Sequence, residues 1–157
     1  MGSRARERRD ARRACTAVKY KDVTFLTTQQ VLDIHRAGLE LFGEGELGVR
    51  DRGLLESALA QPGQVLFGHL PINSLAKMAA SYAFYLAKNH PFVNGNKRAA
   101  LFSAGVFLVR NGQFVRLRKD PWAKHVEALV VDEMTEQEFS DHIAAAMPRG
   151  DVVVELD

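Results

Sequence analysis

Two stretches of this chain are apolar on every face a helix would have, and six of the ten residues joining them are polar. Between Met78 and Ala87 the only polar groups are Ser81 and the hydroxyls of Tyr82 and Tyr85, and between Ala99 and Val109 only Ser103 is polar. A helix that is apolar all round has to be surrounded by protein. Lying next to each other in sequence, the two predict a central antiparallel hairpin wrapped by the remaining elements. Their connection reads Asn89-His90-Pro91-Phe92-Val93-Asn94-Gly95-Asn96-Lys97-Arg98. A turn between two buried helices needs far fewer polar side chains than this. The loop is therefore the candidate functional site.

The wrapping elements also read as helices. Thr27-Thr28-Gln29-Gln30 has capping-box spacing, with Leu26 and Val31 placed as a hydrophobic staple, and predicts a helix running to about Phe42 before Gly43 and Gly45. A second helix is expected from about Asp51 to just before Pro62, and residues 63–71 read as a loop or short hairpin. The central pair should start at Asn73 or Ser74 and near Gly95, and end at about Asn89 and at Asn111-Gly112. Asp120-Pro121 reads as an N-cap followed by proline in the first helical position. Thr135 to Glu138 repeats the capping box, with Met134 and Phe139 as its staple. The expectation is an all-α, compact bundle of about six helices. Little strand is expected, at most one short hairpin or strand, with a short strand placed around 114–117 and another at 152–156.

Composition narrows the class. With 157 residues, 46% of them hydrophobic, the chain suits one domain of ordinary globular make-up. Cys15 is the only cysteine, which excludes a disulfide framework and a cysteine zinc cluster. No run approaches ~18 apolar residues, and the arginine-rich start lacks the apolar core of a secretory signal. A cytoplasmic protein without membrane contact is the expectation. Six arginines and Lys19 face only Glu7 and Asp10 in residues 1–20, so the remainder of the chain is mildly acidic. The expected organisation is a basic flexible tail over 1–20, a helical domain over 21–148, and a C-terminal tail or short strand over 149–157. Such a tail attracts phosphate backbones without reading sequence, so no specific nucleic acid is expected as partner.

The loop's chemistry follows from its residue types. The first turn of the helix after Gly95 offers unpaired N–H groups and the positive end of the helix dipole. Gly95 permits a nest-like backbone, and Lys97 and Arg98 add positive charge, which together suit phosphate oxygens. His90, at the other end, is the one side chain there able to take a proton near neutral pH. Phe92 is expected to plug into the core and hold the loop rigid.

The segment His90-Pro91-Phe92-Val93-Asn94-Gly95-Asn96-Lys97-Arg98 resembles the signature of the Fido superfamily, which joins Fic and death-on-curing (Doc) proteins. Gly48-Val49-Arg50-Asp51-Arg52-Gly53-Leu54-Leu55-Glu56-Ser57-Ala58 is similar to the Doc branch, and the likeness spans roughly residues 23–130. The resemblance implies that His90 is the general base for a target hydroxyl, and that Gly95, Asn96, Lys97 and Arg98 bind the phosphates of ATP. Pro91 and Phe92 would be structural. Fic proteins carry glycine where Lys97 stands and transfer AMP. The lysine resembles the Doc branch, toxins that phosphorylate elongation factor Tu and are restrained in trans by a Phd-like antitoxin. Doc-like transfer of the γ-phosphoryl group is thus the leading expectation. An AMP transferase and a catalytically impaired binding module are the alternatives. The family's usual acid, which holds Mg²⁺, is replaced by Asn94, and a neutral oxygen binds that hard cation less well.

Other signals are weaker. Gly43-Glu44-Gly45-Glu46-Leu47-Gly48 matches a dinucleotide pattern but follows a helix, and its glutamates would repel a pyrophosphate. A flexible loop is expected there. Residues 63–71 fall where the family has a target-aligning flap. His35, His69, His125 and His142 have no metal-ligand spacing and are expected on helix surfaces or loops. Ser3 and Glu7 have the spacing of the family's inhibitory helix, but Arg8 breaks that pattern.

Overall fold

The computed structural model describes residues 17–43, 45–117 and 120–157. Residues 1–16 of the basic tail expected over 1–20, with the Ser3 and Glu7 spacing, lie outside the described residues. The chain order is β1 (Ala17–Lys19), a 3-10 turn (Tyr20–Asp22), α1 (Thr28–Phe42), α2 (Arg52–Ala60) and α3 (Leu75–Asn89). Then come α4 (Asn96–Arg110), α5 (Trp122–Val130), α6 (Glu136–Ala146) and β2 (Val153–Glu155). Six helices and a two-stranded sheet make an all-α bundle with a small parallel clip.

The hairpin of α3 and α4 is the centre. The two pack more extensively on each other than on anything else, with α2, α5 and α6 against α3 and α1 and α5 against α4. Ala79, Ala80, Ala83, Ala99, Ala100 and Ala104 are all buried there, and such small side chains let two helix axes come close. Tyr82 is fully buried, and its hydroxyl accepts the Leu26 N–H at 2.9 Å, fixing how the chain enters α1. Burial pushes that phenol up to about 12, so it stays a neutral hydroxyl.

The helix starts follow their side chains. The Thr27 hydroxyl accepts the Gln30 N–H at 3.2 Å while the Gln30 amide oxygen accepts the Thr27 N–H at 2.8 Å, which completes the capping box. Asp51 caps α2 through the Leu54 N–H, and Ser74 caps α3 through the Lys77 N–H. Thr135 accepts the Glu138 N–H, but Glu138 returns its carboxylate to the threonine hydroxyl rather than to the backbone.

Three expectations need correction. Residues 17–20 are not tail: Ala17–Lys19 pairs in parallel with Val153–Glu155, so the strand expected over 152–156 forms and has its partner at 17–19. No strand forms over 114–117. Val115 and Leu117 are buried and Phe114 and Arg116 exposed, so the alternation is real, but no neighbouring strand takes up their backbone groups. Helix α5 starts one residue late. Pro121 occupies the cap and makes no side-chain bond, while Asp120 lies 3.8 Å from Lys124 as an exposed ion pair. Among the described residues, no helix is long and apolar enough to cross a membrane.

Candidate active site

The last turn of α3 ends at Asn89, and His90 follows in the left-handed region at φ 51°, ψ 52°. A histidine tolerates this backbone only when its surroundings fix it. They do. The Arg50 guanidinium donates to the Asn89 carbonyl at 3.1 Å and to the His90 carbonyl at 2.8 Å. The Pro91 carbonyl accepts the N–H groups of Arg50 and Asp51 at 2.7 and 3.1 Å, and the Val93 N–H reaches Gly48. The His90 ring itself is exposed.

Beneath the loop, Phe92 is fully buried, as expected, and stacks on His35 with ring centroids 3.8 Å apart and planes 6° from parallel. The Asn96 side chain accepts the Phe92 N–H and donates to the Phe92 carbonyl, both at 2.9 Å. Asn96 was expected to bind phosphate. Its buried amide is instead engaged by Phe92, so its backbone N–H is what it can offer a ligand.

His35 is the residue beneath the loop that sequence reasoning misplaced. It is 3% exposed rather than on a helix surface, and its Nε2–H donates to the Asn94 carbonyl at 2.7 Å. With a carbonyl as acceptor, that nitrogen has to carry the proton. The signal was present: Val31, His35 and Gly38 are the buried positions of α1, one stripe at helical spacing. Burial holds the imidazole below its ordinary range, and the bond to Asn94 offsets part of this. The unfolded chain gains a proton near pH ~6.5 where the folded one resists it, so His35 makes stability fall as pH drops below that value. Urea midpoints at pH 7.5 and 5.5 are expected to separate less in His35→Gln than in the parent. Equal separations would show that His35 does not carry the effect. His125, shifted the same way by burial and by His142, supplies a slope that this substitution leaves in place.

The loop frames a cleft of about 380 Å³ lined by Gly45, His90, Val93, Asn94, Gly95, Asn96, Lys97 and Arg98. His90 and the amino end of α4 thus open on one space. Gly95 is the α4 cap at φ 75° and has no side chain to occupy the first-turn N–H groups. A Cβ there would press on Leu39 and His35. The segment read as a plain flexible loop contributes to the wall, since a Cβ on Gly45 would come 2.7 Å from that of Asn94. Lys97 reaches toward Glu127 at 4.0 Å, a mostly exposed pair worth little. The Arg98 guanidinium sits 4.1 Å over the Phe42 ring and 3.5 Å from the Gly38 carbonyl, half-buried at the cleft wall. All this suits an anion with several oxygens next to a base.

A magnesium ion is less well provided for. Asn94 offers one neutral oxygen at the cleft, and the described residues contain no cluster of three His, Cys, Asp or Glu able to hold a metal. That donor set does not fit a resident cation. It fits one carried in by phosphates, which Mg²⁺ prefers in any case. Residues 63–71 form a tight hairpin through the Leu66–His69 bridge, with Phe67 99% exposed at its tip.

Comparison with known proteins gives a consistent result. Residues 25–108 match the model of a family described as the Fic/DOC family. The chain is 40% identical over 115 residues to a protein named Toxin Doc from Mycolicibacterium smegmatis, covering 73% of this chain and 86% of that one. It is 32% identical over 87 residues to Protein kinase doc of Escherichia phage P1, covering 55% of this chain and 68% of that protein.

Proposed function

This chain belongs to the Fic/DOC family, and on that premise we propose that it is a Doc-like toxin that moves the γ-phosphoryl group of ATP onto a hydroxyl of a target protein. One observation carries the reading: His90 and the amino end of α4 border the same cleft. In the proposed reaction the His90 imidazole takes the proton of the target hydroxyl. The freed oxygen bonds to the γ-phosphorus, the bond from that phosphorus to the bridging oxygen breaks, and ADP leaves. The α4 amino end, Lys97 and Arg98 hold the phosphate oxygens, where pre-oriented charge acts without reorganising during the step. Magnesium bound to the nucleotide would neutralise phosphate charge, and Asn94 would be the residue of this chain to offer it an oxygen.

Lys97 is what favours phosphoryl over AMP transfer, because a long cation where other members carry glycine narrows the hole for the ordinary nucleotide pose. The proposed target is elongation factor Tu in the cytoplasm, so that translation stops. The proposed restraint is a Phd-like antitoxin acting in trans. ATP labelled separately at the α- and γ-phosphorus tests the reading. Label reaching the target from the γ position supports it, and label from the α position supports AMP transfer instead. No transfer of either would leave a binding module impaired at Asn94. Restoring the acid is expected to help: Asn94→Asp should raise Mg²⁺-dependent transfer on the order of tenfold, by adding charge attraction to the ligand. Equal turnover of the two forms, measured across Mg²⁺ concentrations, would remove metal ligation from position 94.

A further inference from the structure

The stretch from Gly48 to Arg52 carries part of the family likeness, yet none of its side chains borders the cleft. Its hydrogen bonds give it a task. A helix ends with carbonyls that have no partner inside the helix, and these are usually taken by water or by the next turn of backbone. At the end of α3, the carbonyls of three successive residues are taken instead by two. Arg50 holds those of Asn89 and His90 with its guanidinium, and the N–H groups of Arg50 and Asp51 converge on that of Pro91. The planes of the peptides on both sides of His90 are thereby fixed, and with them the direction of its Cα–Cβ bond. Asp51 is itself anchored as the cap of α2, so the clamp stands on a rigid base.

Apart from the Val93 N–H, which Gly48 takes, the other half of the loop is braced by different groups. Phe92 is held by the Asn96 amide, and the Asn94 carbonyl by His35. The side chains that support His90 and those that support the start of α4 are therefore different. We infer that Arg50 is a positioning residue for His90, aiming the imidazole into the cleft without touching the reactants. This rests on the phosphotransfer reading above. Lysine cannot replace it: an ammonium is a point charge, whereas the planar fork reaches two diverging carbonyls at once. Arg50 is exposed, so its loss removes little packing.

The test compares the full chain with R50M and R50K, using ATP and elongation factor Tu, together with imidazole ¹H–¹⁵N spectra of the histidines. R50M is expected to lower kcat roughly 10- to 100-fold, the scale of a displaced reacting group, with the KM for ATP unchanged within about twofold. R50K should recover only part of the loss. In the spectra, the His90 ring signals should broaden or shift while those of His35, on the other brace, stay put. Unchanged His90 signals overturn the inference. So does a His35 response equal to that of His90, or a KM that rises in step with the fall in kcat. Should R50M not fold, R50K carries the same comparison. If the parent chain transfers no phosphate, the phosphotransfer reading fails, and the two histidines' spectra alone decide whether Arg50 orients His90.

Discussion

Replacing His90 is expected to cost 10²- to 10⁴-fold in phosphotransfer, the range that a positioned general base contributes. The substitution should be made twice. Alanine removes the imidazole but is strained in the left-handed backbone that position 90 adopts, by roughly 1–2 kcal/mol. Asparagine tolerates that backbone and offers no useful base, so His90→Asn separates chemistry from folding. Both variants should bind ATP as the parent does, because in the proposed complex the phosphate groups rest on the amino end of α4 and not on the imidazole. Calorimetric titration with ATP and the rate of label transfer, measured on the same preparations, check the two halves of this expectation. A His90→Asn variant that keeps its rate within about threefold would show that the target hydroxyl loses its proton elsewhere.

The parts of this molecule that could be read from its sequence are those governed by near neighbours. The α3–α4 hairpin announces itself because both helices lack a polar face, and only protein on all sides accommodates that. Thr27 and Gln30 name their helix start because a capping box is closed within four residues. Residues 114–117 mislead for the complementary reason. Their alternation is a local fact, whereas a strand also needs a partner, and among the described residues none pairs with them. β1 is hidden in the same way, since Ala17 finds its partner at Val153, far along the chain. Within the site, the motif gave no sign that the Asn96 side chain is taken up by Phe92. The bond from the Asn96 amide to Phe92 spans four residues, but nothing in the one-dimensional pattern says which way that amide faces. His35 was legible as part of the Val31–Gly38 stripe. What it touches became clear only when Phe92 and Asn94 were brought against it. Arg50 lay inside a recognised stretch, and its role depends on the end of a helix that starts more than twenty residues later.

Truncating Phe92 to alanine should be the most damaging single change to the fold of this loop. The ring is fully buried and stacked on His35, so its removal leaves a cavity bordered by a polar imidazole. A buried Phe→Ala change costs about 3–5 kcal/mol, against a total stability of roughly 5–15 kcal/mol for a domain. The loss reaches function by a definite route. The Phe92 backbone is the anchor for the Asn96 amide, His35 leans on the ring while holding the Asn94 carbonyl, and Asn96 and Asn94 flank Gly95 at the start of α4. Loosening Phe92 therefore disorders the anion half of the loop, and weaker ATP binding should accompany the lower stability. This is the opposite signature to that expected for Arg50, where binding survives and turnover falls. Phe92→Leu, which keeps much of the volume, should fall between the parent and Phe92→Ala in both measures. Urea unfolding at matched slope reads the stability and calorimetry reads the binding. A Phe92→Ala protein that unfolds within about 1 kcal/mol of the parent, or that binds ATP undiminished, would mean the anion half of the loop stands without its buried ring.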